Sequence, residues 1–192
     1  MRLMVSAPLA AALLCLVAPS AARAAENLDC MESGYSEAGW ATIEAFIAGF
    51  DFRRPNAPAP AYQAVLSARA EACAAEHGWS TDAKTVALQY RRAAFMDAAL
   101  RRHAPVSPEA IERMEAALAA TDEGQVWQAF LRLAAQRRQD KQANVGALEL
   151  GVLMPILDAA GLEHNYESGQ FIGAWITVHQ VKRDLSARFA TL

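Results

Sequence analysis

Alanine occupies 44 of the 192 positions, and it recurs along the whole chain. It has the highest helix propensity of the common residues, whereas a β-sandwich needs many valine, isoleucine and threonine residues. Hydrophobic residues make up 54% of the chain and charged residues 20%, which excludes a disordered polyelectrolyte. Apolar and polar residues do not alternate over the length of a strand. The sequence therefore predicts an all-α fold without a sheet, a single compact bundle of six or seven helices.

Cap and stop residues divide the chain into seven helical segments. Serine and threonine are preferred N-caps, proline is favoured at the first helical position, and glycine ends helices. Ser36 and Ser107 are such caps, Ser80 or Thr81 is another, and Gly78 is a stop signal. The predicted helices are 36–50, 60–77, 81–103, 108–120, 121–135, 145–160 and 168–190.

Proline residues predict two interruptions of this helical pattern. The three prolines within residues 53–60 cannot continue a helix, so this stretch is expected to be a stiff connector. Pro155 lies inside the sixth helix, where its ring would clash with the carbonyl group of Gly151. We therefore expect a kink or a break there. Residues 25–35 are polar and are expected to be irregular.

The last helix has the clearest apolar stripe of the chain. Five large residues fall within about 80° of one another on a helical wheel. They are Phe171, Trp175, Val178, Leu185 and Phe189. This stripe is predicted to form one wall of the core, with Trp175 buried. Ile172 and Ile176 are turned about 100° away from the stripe, which makes them candidates for a docking surface.

The N-terminus has the features of a secretory signal peptide. Arg2 supplies a positive charge, and an apolar stretch at 9–17 is too short to span a bilayer. A small-x-small pattern ending at Ala24 predicts cleavage after that residue. Residues 1–24 are thus predicted to be a cleaved signal peptide and 25–192 a single all-helical domain, with an uncleaved anchor as the alternative.

The charge and the hydropathy of the chain limit the classes of partner and the cellular locations that are expected. Cleavage after residue 24 would leave 16 basic and 21 acidic residues, a net charge of −5, which excludes nucleic acid as a partner. No later segment reaches 18 uninterrupted apolar residues, so no transmembrane segment is expected after cleavage. The expected location is periplasmic or secreted.

Two cysteines, Cys30 and Cys73, follow the predicted cleavage site. In an exported protein an even pair predicts one disulfide, whereas two free thiols are the alternative. A closed loop of this length would stabilise the fold by about 4 kcal/mol in the chain-entropy model.

Sequence motifs for chemistry are few. None of the four histidines lies three or four residues from another, so no helix presents two imidazoles to one metal ion. His164 and Glu167 stand three apart, but the polar run around them is typical of a turn. No nucleophile set, phosphate-binding loop or cofactor motif stands out. The sequence therefore predicts no catalytic residue, no metal and no cofactor.

Glu32-Ser33-Gly34-Tyr35 is the motif with the sharpest functional implication. It locally resembles the Glu-Ser pair of lytic transglycosylases, which are exported helical enzymes. The resemblance implies that Glu32 is the general acid that protonates a glycosidic oxygen. It covers four residues, and the Gly-Leu-Met-Gln stretch that follows the pair in that family is missing here. The alternative is an N-terminal turn without catalytic function.

Arginine outnumbers lysine by 15 to 3. On the third helix, Lys84, Arg91 and Arg102 are spaced by seven and eleven residues and are predicted to form one basic stripe. Such a stripe favours recognition of carboxylate or phosphate groups. The alternative is a solvated face whose charges are satisfied by nearby acidic residues.

Taken together, these patterns predict an exported helical protein with a binding or structural role in the cell envelope. Its partner is expected to be an envelope protein or an anionic cell-wall component, contacted through Lys84, Arg91 and Arg102 or through Ile172 and Ile176. The alternative function is a peptidoglycan-cleaving hydrolase of lytic-transglycosylase type that uses Glu32. The identity of the partner and the oligomeric state stay open.

Overall fold

The computed structural model describes residues 25–52, 58–121, 123–139, 147–163 and 165–192. The predicted signal peptide and most of the predicted connector, residues 53–57, lie outside the described residues.

Seven α-helices follow a short 3₁₀ helix, and none of the described residues forms a strand. The predicted all-α bundle is therefore confirmed for this part of the chain. The 3₁₀ helix spans Leu28–Glu32, and the α-helices are α1 (Glu37–Ala48), α2 (Pro60–His77), α3 (Thr81–Arg102), α4 (Pro108–Ala120), α5 (Glu123–Gln139), α6 (Ala147–Ala160) and α7 (Tyr166–Phe189).

The predicted serine caps explain the starts of α1, α3 and α4. The side-chain oxygens of Ser36, Ser80 and Ser107 each accept a hydrogen bond from the backbone N–H three residues on. At the start of α7 the prediction was wrong by two residues. Asn165 is the cap there, and its Oδ1 accepts from the backbone N–H of Ser168 at 2.9 Å.

Two segments differ from the predicted local structure. The helix α6 continues through Pro155, so of the expected kink or break the break is wrong, and the kink stays a prediction. A helix can retain such a proline when packing on neighbouring helices outweighs the lost backbone hydrogen bond, and α6 packs against α4 and α5. The 3₁₀ helix replaces part of the expected irregular stretch and buries Met31 completely.

The largest core cluster joins α4, α5, α6 and α7 to the C-terminal end of α3. Trp175 is 1% exposed in this cluster, as predicted for the wall of the core. Ile172 and Ile176 are buried in the same cluster at 6% and 3% exposure, so the predicted docking position for them is wrong in this structure. The physical reason is that α7 is covered by α3 as well as by α5, so its second apolar face is also enclosed.

The other two core clusters lie around the N-terminal helices. One joins the 3₁₀ helix, α2 and the start of α3 to Phe189 at the end of α7. The other joins α1, α2 and the middle of α3. The long helix α3 contributes to all three clusters and is therefore the central element of the bundle. None of the described helices is long and apolar enough to cross a membrane.

Candidate functional site

The predicted disulfide is confirmed and joins the 3₁₀ helix to α2. Cys30 and Cys73 are bonded, with their Cα atoms 5.9 Å apart. The two sulfur atoms have unequal surroundings, because Cys73 is fully buried whereas Cys30 is partly exposed. Any reagent that approaches from solvent therefore reaches Cys30 first.

Arg69 lies one helical turn before Cys73 and holds the other half of this bridge. Its Nε and Nη2 donate to the carbonyl oxygen of Cys30 at 3.0 and 2.7 Å. Nη2 also lies 3.1 Å from the Sγ atom of Cys30. Such charge-assisted hydrogen bonds are stronger than neutral ones. The guanidinium group thus ties the 3₁₀ helix to α2 beside the covalent link.

Gly34 allows this arginine to approach the backbone. Its φ is +79°, in the left-handed region that only glycine adopts without strain. A Cβ atom at this position would lie 2.6 Å from the Cζ atom of Arg69. The turn between the 3₁₀ helix and α1 therefore requires glycine both for its conformation and for its space.

A surface groove of about 350 Å³ lies between α1 and α2, next to the disulfide. Gly34 and Arg69 line one part of it. The two walls are Tyr35, Ala38 and Thr42 on one side and Val65, Ala68 and Ala72 on the other. Small side chains dominate this lining, so an incoming chain can approach the two helix backbones closely.

Two aromatic residues, Tyr35 and Trp40, pack on each other at the α1 side of the groove. Tyr35 donates its hydroxyl hydrogen to the carbonyl oxygen of Met31 at 2.8 Å, and burial raises the pKa of this phenol, an effect that Arg91 partly offsets. The Tyr35 ring meets the edge of Trp40, with the ring centres 5.0 Å apart. Trp40 is 39% exposed, one of the most exposed large hydrophobic residues among those described. Trp40 therefore offers an exposed aromatic surface next to Tyr35, which lines the groove.

Glu32, the residue implied by the transglycosylase resemblance, is exposed at the end of the 3₁₀ helix. Its carbonyl oxygen accepts a hydrogen bond from Nη2 of Arg91 at 3.2 Å. Its carboxylate does not line the groove, although Gly34 and Tyr35 do. A general acid of a glycosidase is usually set in an apolar pocket, and an exposed position does not supply one.

The three cations of the predicted basic stripe each contact a different part of the chain. Lys84 Nζ lies 2.7 Å from a carboxylate oxygen of Glu71. Arg102 Nη1 lies 2.8 Å from a carboxylate oxygen of Glu44. The guanidinium of Arg91 covers the ring of Phe95 at 4.1 Å. The Lys84 and Arg102 ion pairs join α3 to α2 and α1, whereas the Arg91–Phe95 contact lies within α3. All three residues thus have structural partners. A role for them in ligand binding stays a prediction.

A charge network around the buried Asp97, which sequence reasoning missed, lies between α3 and α7. Asp97 is 7% exposed and accepts a hydrogen bond from Lys182 Nζ at 2.7 Å. Arg101 joins it at 3.4 Å and also pairs with Glu115 of α4. Burial lowers the pKa of the nearby His179 imidazole, Lys182 and Arg101 lower it further, and Asp97 and Glu115 oppose the shift. The network fixes the register of α7 along α3.

A second set of chemical groups surrounds the disulfide on the side of α2. The potential ligand atoms of Cys30, Glu76 and His77 all lie within 4.8 Å of one another. Cys73 and His77 are four residues apart on α2, so one helix face carries a sulfur and an imidazole. A sequence search for paired histidines does not find this set. A search for a cysteine and a histidine four residues apart would have found Cys73 and His77.

Comparison with known proteins identifies no relative. No protein-family model matches the chain, and neither a curated protein nor a solved structure shows significant similarity to it. Function must therefore be argued from the residues and their geometry.

Proposed function

We propose that this chain is exported and binds an envelope protein through the groove between α1 and α2. The observation that carries the proposal is the Cys30–Cys73 disulfide. Disulfides form and persist in oxidising compartments and are rare in the cytosol. Together with the signal-peptide pattern at 1–24, this favours a periplasmic or secreted location.

The groove is the best-supported binding surface because it combines several properties of protein interfaces. Tyr35 and Arg69 line it, and Trp40 packs on Tyr35; tryptophan, tyrosine and arginine are the residues that most often carry binding energy. The small residues of the walls leave room for a helix or an extended segment of a partner. The disulfide and the Arg69 hydrogen bonds hold this surface in one conformation, which reduces the entropy lost on binding.

Charge favours a protein partner over an anionic cell-wall polymer. The net charge of −3, or −5 after the predicted cleavage, repels a polyanion at long range. Of the three cations that were predicted to recognise anions, Lys84 and Arg102 already pair with Glu71 and Glu44. The groove has apolar and aromatic side chains and a single arginine, and such a surface suits a protein segment better than it suits an anionic polymer.

Site-specific crosslinking in cells tests this proposal. A photoreactive residue at Ala38, on the wall formed by α1, should yield a discrete crosslink to an envelope protein. Ala68→Trp on the opposite wall should abolish that crosslink because the indole fills the groove. The matched control is Ala116→Trp on α4, an exposed alanine away from the groove, which should leave the crosslink intact. Equal crosslinking in both variants, or none at Ala38, would contradict the groove as the interface.

Export is tested separately by fractionation and non-reducing mass spectrometry. The mature chain should begin at Ala25, lie outside the cytoplasm and carry the disulfide. A full-length cytoplasmic chain with two alkylatable thiols would contradict the location.

The hydrolase alternative is tested on purified peptidoglycan. If the protein only binds, wild type and Glu32→Gln should both release no soluble fragments. Glu37→Gln, another exposed glutamate five residues on, is the matched control. Fragment release that is lost in Glu32→Gln and kept in Glu37→Gln would establish the enzyme and overturn a purely binding role.

A further inference from the structure

We infer that Cys30, Cys73, His77 and Glu76 form a zinc-binding site when the disulfide is reduced. This inference does not depend on the proposed partner in the groove. It rests on the ligand atoms that the fold brings together around the disulfide, and it assigns a second, redox-controlled property to that end of the molecule.

The positions of the side chains fit one ion. The ligand atoms of Cys30, Glu76 and His77 already lie within 4.8 Å of one another, and Cys73 is bonded to Cys30. Zinc takes four ligands, with sulfur at about 2.3 Å and nitrogen or oxygen at about 2.0–2.2 Å. The Cα atoms of the two cysteines are 5.9 Å apart, so both sulfur atoms can be ligands of one ion once the bond between them is reduced.

The donor set is also chemically suited to zinc. Two thiolates, an imidazole and a carboxylate are the ligand types that zinc binds in proteins, and calcium and magnesium prefer sites made only of oxygen. The Nη2 atom of Arg69 donates to the Cys30 sulfur at 3.1 Å, a second contact that holds this ligand in position. Cys73 is fully buried, which screens one side of the site from water.

Neighbouring residues position the imidazole. The side-chain amide of Asn27 lies 3.4 Å from Nδ1 of His77. The His77 ring is stacked on Trp79, with the ring centres 5.9 Å apart, and Trp79 Nε1 donates to the carbonyl oxygen of Glu26 at 2.9 Å. The amide nitrogen of Asn27 can only donate, so Nδ1 of His77 is the acceptor in the disulfide form, and zinc would take that lone pair in place of the amide while Nε2 keeps its proton.

Reduction of the disulfide precedes zinc binding. A dithiol reductant gives two electrons and two protons to the Cys30–Cys73 bond and itself becomes a disulfide. The two thiols so formed lose their protons when Zn²⁺ binds, so two protons are released for each ion. In the reverse direction a small-molecule disulfide takes two electrons from the zinc-bound thiolates and two protons from water and becomes a dithiol, while Cys30 and Cys73 form their bond again and Zn²⁺ is released. The site is therefore closed to zinc in the disulfide form.

Zinc titration of the full mature protein tests the inference. With a phosphine reductant, native mass spectrometry should show one Zn²⁺ per chain, and the oxidised protein should show none under the same conditions. Cobalt(II) in place of zinc should give the absorption of a tetrahedral thiolate complex. His77→Ala should weaken zinc binding by at least tenfold, about the loss of one ligand or its support. His103→Gln, a distant histidine on the C-cap of α3, should bind zinc as wild type does.

Two results would overturn the site. One is a reduced wild type that binds no zinc, and the other is equal affinity in wild type and His77→Ala. If reduction alone unfolds the chain, zinc added before the reductant should preserve the helical circular dichroism signal of wild type but not of His77→Ala. Equal loss of that signal with and without zinc would also overturn it. These outcomes leave the groove untested, so failure here is separate from failure of the proposed function.

Discussion

The disulfide end and the α7 end of the bundle are stabilised in different ways. Of the seven buried residues in the cluster around Cys73, three are alanine. Of the thirteen in the cluster around Trp175, only one is alanine. The first region has little apolar area per residue to remove from water, and the second has much more.

The disulfide end, where the buried side chains are smaller, is also held together by a covalent bond and by hydrogen bonds. Cys30 is bonded to Cys73, and its carbonyl oxygen accepts two hydrogen bonds from Arg69. The large core cluster contains no disulfide and depends on burial of residues such as Trp175 and Phe171. This difference indicates that covalent and charge-assisted links compensate for limited hydrophobic burial at the disulfide end. Mutations should therefore act through different mechanisms at the two ends.

The largest effect is expected for Trp175→Ala. Removal of this fully buried ring should lower the free energy of unfolding by about 3–5 kcal/mol, because a cavity remains in the core. Chemical denaturation measures the loss. Trp40→Ala is the matched control, since Trp40 is 39% exposed and should cost less than half as much. Equal losses at the two tryptophans would mean that burial in the core does not determine what Trp175 contributes.

Loss of the disulfide is the corresponding test at the other end. The double variant Cys30→Ala, Cys73→Ala should lower the free energy of unfolding by about 2–4 kcal/mol, mainly because the unfolded chain gains freedom. Hydrogen exchange should become faster first in the 3₁₀ helix and α2, while amides of α6 stay protected. Uniformly faster exchange along the chain would show that the two ends are one cooperative unit.

Gly34→Ala separates backbone strain from side-chain crowding at the disulfide end. We expect a loss of about 1–3 kcal/mol, since the new Cβ atom meets the Arg69 guanidinium and the residue keeps a positive φ. Gly78→Ala is the matched control, because Gly78 has φ +68° but open space around its Cβ position. Gly78→Ala should lower the free energy of unfolding by about 1 kcal/mol, the cost of a positive φ alone. Thermal unfolding of both variants measures the difference, and equal losses would mean that Arg69 moves without cost.

The smallest expected effect is the pH dependence that His179 contributes at the α7 end. Burial lowers the pKa of this imidazole below its ordinary value of 6.5, so the folded state binds fewer protons than the unfolded state. The contribution of His179 is thus full at neutral pH and falls as the pH drops below about 6.5. His179→Gln should flatten the stability profile in this window.

Nuclear magnetic resonance titration of the His179 ring checks the cause. Lys182→Met should raise the pKa of this imidazole, because it removes a nearby cation and leaves Asp97 without its lysine. An unchanged pKa in Lys182→Met would mean that the lysine charge does not reach the imidazole.

Local sequence patterns predicted the helices well because their physical cause is local. A serine oxygen within reach of the next turn is sufficient to start a helix at Ser36, Ser80 or Ser107, and Gly78 ends α2 in the left-handed conformation. The pairing of two cysteines was also predictable, since only one combination follows the predicted cleavage site. The 3₁₀ helix was not, because five residues are too few to show a hydrophobic period.

The candidate site depended much more on the tertiary structure. Glu32 and Arg91 are 59 residues apart, and Cys30 and Arg69 are 39 apart, yet each pair is joined by hydrogen bonds. Ile172 and Ile176 looked available on a helical wheel, but α3 and α5 cover α7 from two sides. A wheel describes the faces of one helix and cannot show how many neighbours enclose it.

The sequence by itself therefore determined the helical class, the serine-capped helix starts and the disulfide, because each follows from contacts within a few residues or from the only cysteine pair after the predicted cleavage site. Only the tertiary structure decided which apolar faces are buried, which cations are paired and where the groove opens. It also placed His77 and Glu76 beside Cys30, a residue more than forty positions earlier in the chain. The physical reason is that packing between distant helices depends on the shapes of both partners, and no local pattern contains that information.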